Sequence, residues 1–182
     1  MDTTQAIRRT LGVLLLTASV TTLACSPSDT VKTSASASAA PFLQTDADGK
    51  FSAEFPFTPL REQKRDVVSG VELVTISYTT ETAKDSVIVA YTDYPRTMQF
   101  KSAEALEGAA QGAAKNIGGV ILSKTPTTFM GHPAIDIVVK NPQATANARL
   151  VLRDHRLYMV LGISEAGRPA SYDHLLETFF LI

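Results

Sequence analysis

The chain has one cysteine, no tryptophan and three histidines, and its charges nearly cancel. A single cysteine excludes an intramolecular disulfide and any site needing several thiolates. A formal charge of −1 gives no basic excess of the kind a nucleic-acid surface requires. No acidic run suggests a cation store, and no internal repeat marks a solenoid. The G-x-S-x-G nucleophile elbow of serine hydrolases is missing, and Gly118-Gly119 follows a helical pattern rather than a strand, so it is no phosphate loop. One apolar run stands out, Leu11–Leu23, and it is shorter than the roughly 20 residues that span a bilayer.

That run is the most informative segment present. Arg8 and Arg9 precede it, Thr21-Thr22-Leu23-Ala24 end it, and Cys25 follows. A positive start, an apolar middle and a small residue before the cut are the parts of a cleaved secretory signal. The cysteine directly after the cut resembles a bacterial lipoprotein signal, in which the thiol is acylated and becomes the new N-terminus. Thr22 stands where such signals usually carry leucine. An ordinary signal peptide cut nearby, leaving Cys25 free, is the alternative, and Arg8-Arg9 only weakly matches a twin-arginine signal. Residues 1–24 are thus expected to be leader and Cys25 the lipid anchor, facing the periplasmic or extracellular side. Each buried methylene of such a chain adds ~0.8 kcal/mol of membrane affinity. If the host has two membranes, Ser26 resembles the sorting residue of outer-membrane lipoproteins.

Residues 25–41 carry the cysteine and a tether. Ser26 to Ala40 reads SPSDTVKTSASASAA, too polar and small to offset the entropy of ordering. A flexible stretch of this length spans about 20–25 Å, enough to let a domain swivel just above a membrane.

Residues 42–182 form one expected domain, long enough for a core without disulfides. Without Arg8, Arg9 and Asp2 of the leader the formal charge becomes −2. Phe51, Ala53 and Phe55 alternate behind a turn at Asp46–Lys50, and Glu62–Val68 reads as a polar edge strand ending at Ser69-Gly70. Val74, Ile76 and Tyr78 share a face of the next strand, and Glu81–Asp85 is a polar turn. In Ser86–Tyr94, Val87, Val89 and Tyr91 alternate with Ile88 and Ala90, which marks a central strand. A helix then starts with Ser102 as its cap and stops at Gly118-Gly119. Its Gly108, Ala109, Gly112 and Ala113 predict a small-sided face lying close on a sheet. Val120–Phe129, Ile135–Val139 and Ala148–Leu152 form a meander with turns at Gly131 and Asn141-Pro142. Arg149 and Arg153 are expected to face outward. After Asp154-His155-Arg156 comes the apolar run Leu157–Ile163, and Pro169 at N1 opens a short helix, Ala170–Thr178. The sum is α+β: an antiparallel sheet with one helix inserted mid-chain and a C-terminal helix packed on it.

Several short motifs agree with that order. Asp48-Gly49-Lys50-Phe51-Ser52, Phe55-Pro56-Phe57-Thr58-Pro59, Tyr91-x-Asp93-x-Pro95, Gly131-His132-Pro133-Ala134, Arg156-Leu157-Tyr158 and Leu175-Leu176-Glu177-Thr178-Phe179 occur in turn. Together they resemble the superfamily of the photosystem II extrinsic protein P and the nuclear import factor Mog1. The resemblance runs from Asp48 to Ile182. It implies a Mog1/PsbP-like α/β sandwich and a binding or assembly role, since the superfamily holds photosystem assembly proteins, a GTPase-binding protein and many lipoproteins. No photosystem-specific or GTPase-specific residue can be mapped onto this chain.

The residues offer little chemistry. His132, His155 and His174 are the candidate bases, and Asp173 beside His174 points elsewhere on a helix. His132 and Asp136 share strand parity, but a metal site needs three or four ligands and no third is apparent, so no metal and no cofactor are expected. Tyr94, Phe100 and Phe129 flank loops around the first helix and are the candidates for lining a groove. The leading expectation is a lipid-anchored, non-catalytic module that binds an envelope protein, with the membrane reached through Cys25. A carrier of a small apolar ligand and a hydrolase with a scattered site are the alternatives.

Overall fold

A computed structural model describes residues 40–68 and 70–182. The leader, Cys25, most of the tether and Ser69 lie outside the described residues. Among the described residues ten strands and two helices follow in order: β1 (Phe42–Asp46), β2 (Phe51–Phe55), β3 (Leu60–Val68), β4 (Val71–Glu81), β5 (Asp85–Asp93), α1 (Ser102–Ile117), β6 (Val120–Phe129), β7 (His132–Lys140), β8 (Thr145–Arg153), β9 (Arg156–Ser164), α2 (Ala170–Thr178) and β10 (Phe180–Leu181).

Seven strands form one antiparallel sheet in the order β3-β4-β5-β9-β8-β7-β6. β3 is an edge, as its polar sequence suggests, and β5 lies inside, bonded to β4 and β9. A second, three-stranded sheet, β1-β2-β10, packs with α2 on one face of the large sheet. Phe51, Ala53 and Phe55 of β2 are fully buried there against Val87, Val89, Tyr158, Tyr172 and Phe179. α1 covers the other face, laying Leu106, Ala110 and Ala114 on Ile135, Ile137, Val139, Ala148 and Leu150. The molecule is α+β, with the mid-chain helix and the C-terminal helix packed on antiparallel sheet. Among the described residues no helix is long and apolar enough to cross a membrane.

Four local expectations change. The single expected sheet is two, because β1 and β10 pair with β2. Ser102 does not cap α1: it is already helical, and Lys101 is the N-cap, extended at φ −83° and salt-bridged to Glu104 of the first turn, an acid placed where the helix dipole favours it. Pro169 is likewise the N-cap of α2 rather than N1. Gly108 and Gly112 do not mediate close contact, since a Cβ at either would meet nothing within 4 Å; alanines make the approach instead. The expected helix stop does hold: Gly118 adopts the left-handed conformation (φ 66°) and its N–H reaches back to Lys115.

Arg149 is also not on an outer face. Its side chain is only 21 % exposed and forks onto both oxygens of Asp136 at 2.7 Å, beneath the Phe129 ring. The large sheet is covered on both sides at β7 and β8, so a cation between them has to be paired.

Candidate binding cleft

At one end of the large sheet, where β5 leaves it and the β8–β9 hairpin turns, an open cleft of about 610 Å³ is lined by Lys50, Asp93, Tyr94, Arg96, Arg153–Arg156 and Tyr158. Three separate loops build it. Lys50 closes the β1–β2 turn, Tyr94 and Arg96 begin the connection to α1, and Asp154-His155 is the two-residue hairpin tip. Asp154 takes the left-handed conformation that such a tight turn requires (φ 55°).

The floor is fixed by the register of β5 on β9, which sets Tyr91 opposite Tyr158 and Asp93 opposite Arg156. Arg156 forks onto Asp93 at 2.6 and 2.7 Å and stacks over the Tyr91 ring, 4.6 Å from its centroid. The Asp93 carboxylate holds the guanidinium well above its ordinary pKa, so its charge is permanent. Arg156 also donates to the carbonyl of Asp48, and the Tyr158 hydroxyl donates to that of Gly49 at 2.9 Å. The β1–β2 turn is thereby latched onto the sheet.

Asp46 strengthens the latch. Burial works against its charge, but the Gly49 N–H and the Tyr78 and Tyr91 hydroxyls all donate to it, and together they hold its carboxyl below the usual range. Burial, followed by the charge of Asp46, pushes the Tyr91 phenol up to about 12. Gly49 has no room for a side chain: a Cβ there would sit 2.6 Å from Tyr91 Cε1. Three short motifs of the sequence, at Asp48–Phe51, Tyr91–Pro95 and Arg156–Tyr158, therefore meet at one place, and their shared task is to build this floor.

The rim is different in kind. Tyr94 packs edge-on to Phe100 (5.7 Å between centroids), and Phe100 lies 5.5 Å from the His155 ring. The Tyr94 N–H donates to the His155 carbonyl at 2.7 Å, which ties the ledge to the hairpin. Burial raises the Tyr94 phenol, so it stays neutral. Of the rim cations, Arg153 donates to the Ile182 main-chain oxygen at 2.8 Å. Lys50 and Arg96 are exposed and form no ion pair among the described residues.

The three aromatic groove candidates do not share a site. Tyr94 and Phe100 stand together beside the cleft, whereas Phe129 stacks on Phe179 (5.6 Å) in the core on the opposite face of the large sheet. Lys50, Arg96, Arg153 and Arg156 escaped the sequence reading because each stands in or beside a turn, where a charged residue is usually just solvated. The histidines sit apart in role: His155 in the cleft, His132 at the start of β7, and His174 3.0 Å from Glu54 while Asp173 pairs with Arg168. Asp136, once paired in parity with His132, is held by Arg149. Among the described residues no three of His, Cys, Asp and Glu gather as metal ligands.

No family model matches the chain, and no curated protein matches it. A solved structure does. The chain is similar to the solution structure of cyanobacterial PsbP (CyanoP) from Synechocystis sp. PCC 6803, with a TM-score of 0.53 over 78 % of this chain and 92 % of that one. The fold is PsbP-like. At 8 % identity the likeness is one of fold alone.

Proposed function

We propose that this chain is a lipid-anchored protein of the cell envelope that acts as a non-catalytic protein-binding or assembly module, with the cleft as its contact face. One observation carries the reading: cations and aromatic rings from three loops converge on a rigidly latched, open cleft. Arginine and exposed lysine remain protonated at neutral pH, so these cations bind and orient a partner. The PsbP-like fold agrees with a binding role. The carrier alternative gains no support, because α1 lies on the sheet through buried Ala110 and Ala114, which is tight packing. Acylated Cys25 and the tether keep the domain close to the membrane, where an envelope partner is at hand.

The test is a photo-crosslinking side chain placed in cells at exposed Thr97, next in the chain to Arg96 of the cleft lining, with exposed Gln111 of α1 as control. The reading expects one protein adduct of defined mass from position 97 and none from 111. Equal adducts from both positions, or none from 97, contradict it.

A further inference from the structure

We infer that the partner is recognised through an acidic segment of its chain, whose Asp or Glu carboxylates dock between Lys50 and Arg96. This rests on the binding-module reading and names the partner's chemistry.

Four cations line the cleft, and two are already occupied. Arg156 is neutralised by Asp93, and Arg153 holds the Ile182 main-chain oxygen. Lys50 and Arg96 stand in different loops on the cleft lining, exposed and without ion-pair partners among the described residues. The remaining carboxylate of the lining, Asp154, sits at the hairpin tip, held there by its turn. The domain as a whole leans the other way, with a formal charge of −2 once the leader is discounted. The cleft lining, with four cations against the two carboxylates of Asp93 and Asp154, is where an acidic segment finds a local excess of positive charge, the arrangement that steers a partner and fixes its orientation. The planar fork of Arg96 matches a carboxylate bidentately, and Lys50 adds a point charge. Beside them the Tyr94–Phe100–His155 ledge offers ring surface for an apolar residue flanking the acids. The cations line a concavity of about 610 Å³, which encloses a few side chains. A flat bilayer surface would leave such a hollow unfilled, so a peptide suits it better than lipid headgroups.

Fluorescence anisotropy of labelled octaglutamate with the full-length chain in detergent tests this. Octaglutamine, inorganic phosphate as competitor, and vesicles of phosphatidylglycerol serve as the other arms. The inference expects saturable octaglutamate binding that weakens as salt rises, no octaglutamine binding, and at least about tenfold loss in Lys50→Gln/Arg96→Gln. Lys64→Gln/Lys115→Gln, which removes two cations elsewhere, should keep the affinity within about twofold. Equal loss in both variants, binding of octaglutamine, or no saturable binding overturns it. So does cleft-dependent binding of vesicles without peptide binding, or full displacement by phosphate, either of which makes the site one for phosphate groups. If the adduct at position 97 forms with undiminished yield in Lys50→Gln/Arg96→Gln, the acidic segment is wrong while the module reading stands. If octaglutamate binds as expected but no partner crosslinks, the module reading is the one that fails.

Discussion

Asp93 and Arg156 face each other across β5 and β9 and exchange two parallel hydrogen bonds of 2.6 and 2.7 Å. The pair is unequal. Arg156 is 18 % exposed and also engages Asp48 and Tyr91, whereas Asp93 is 55 % exposed. Truncating the arginine therefore removes charge-assisted hydrogen bonds and a ring contact together. Arg156→Ala should cost about 2–3 kcal/mol of stability. Asp93→Asn, at the solvated end of the pair, should cost under about 1 kcal/mol. Urea unfolding of the two variants measures both, and equal losses would mean the latch to the β1–β2 turn contributes nothing.

Glycines in this chain divide by what surrounds them. Gly49→Ala drives a methyl into Tyr91 and should destabilise by about 1–3 kcal/mol. Gly108→Ala and Gly112→Ala put a methyl into open space on a helix and should each stabilise by about 0.4–1 kcal/mol. Thermal unfolding of the three variants gives the signs directly. A loss at Gly112 would restore the close-packing role expected from its lack of a side chain.

The pH dependence follows from Asp46 and the buried phenols. Asp46 has its carboxyl depressed in the fold, so its contribution is present above the unfolded value of 3.8 and is lost as pH falls through the folded value below it. Tyr91 and Tyr172 are each raised to about 12, Tyr172 by burial first, so their contribution is full below pH 10 and is lost between 10 and about 12. Stability measured against pH should therefore stay level with respect to these groups between the two windows. In Asp46→Asn the acid limb below pH 4 should shrink.

Cys25→Ser removes the thiol that would carry the lipid, and a tether of this composition has no other membrane affinity. The variant should move from the membrane to the soluble fraction on cell fractionation, and should lack the mass of the acyl chains. An unchanged membrane fraction without acyl mass in the parent would leave Cys25 a free thiol.

What the sequence made legible depends on burial. Phe51–Phe55, Val87–Tyr91 and Leu157–Ile163 show their faces plainly because core residues must alternate or run apolar, and their strands appear as read. β1 was hidden since Phe42–Asp46 is largely exposed and shows no clear apolar face. β10 is two residues long and exists only because β2 offers it an edge. Tyr172, the buried centre of α2, was masked by polar neighbours, and Gly162 beneath it makes the room, since a Cβ there would press on Tyr172. The cleft was the least legible part. Lys50, Arg96 and the Arg153/Arg156 pair of the β8–β9 hairpin are distant in sequence, and the β5–β9 register and the latched β1–β2 turn bring them together.

Two surfaces compete to be the working one: the cleft, and the outer side of the small sheet, where Leu43 and Phe180 are exposed. The deciding measurement is the yield of the partner adduct from position 97 in three chains: the parent, Lys50→Glu/Arg96→Glu, and Leu43→Ser/Phe180→Ser. The account predicts that charge reversal abolishes the adduct and that the serine pair leaves it intact. An adduct that survives charge reversal and disappears with the serine pair would contradict it.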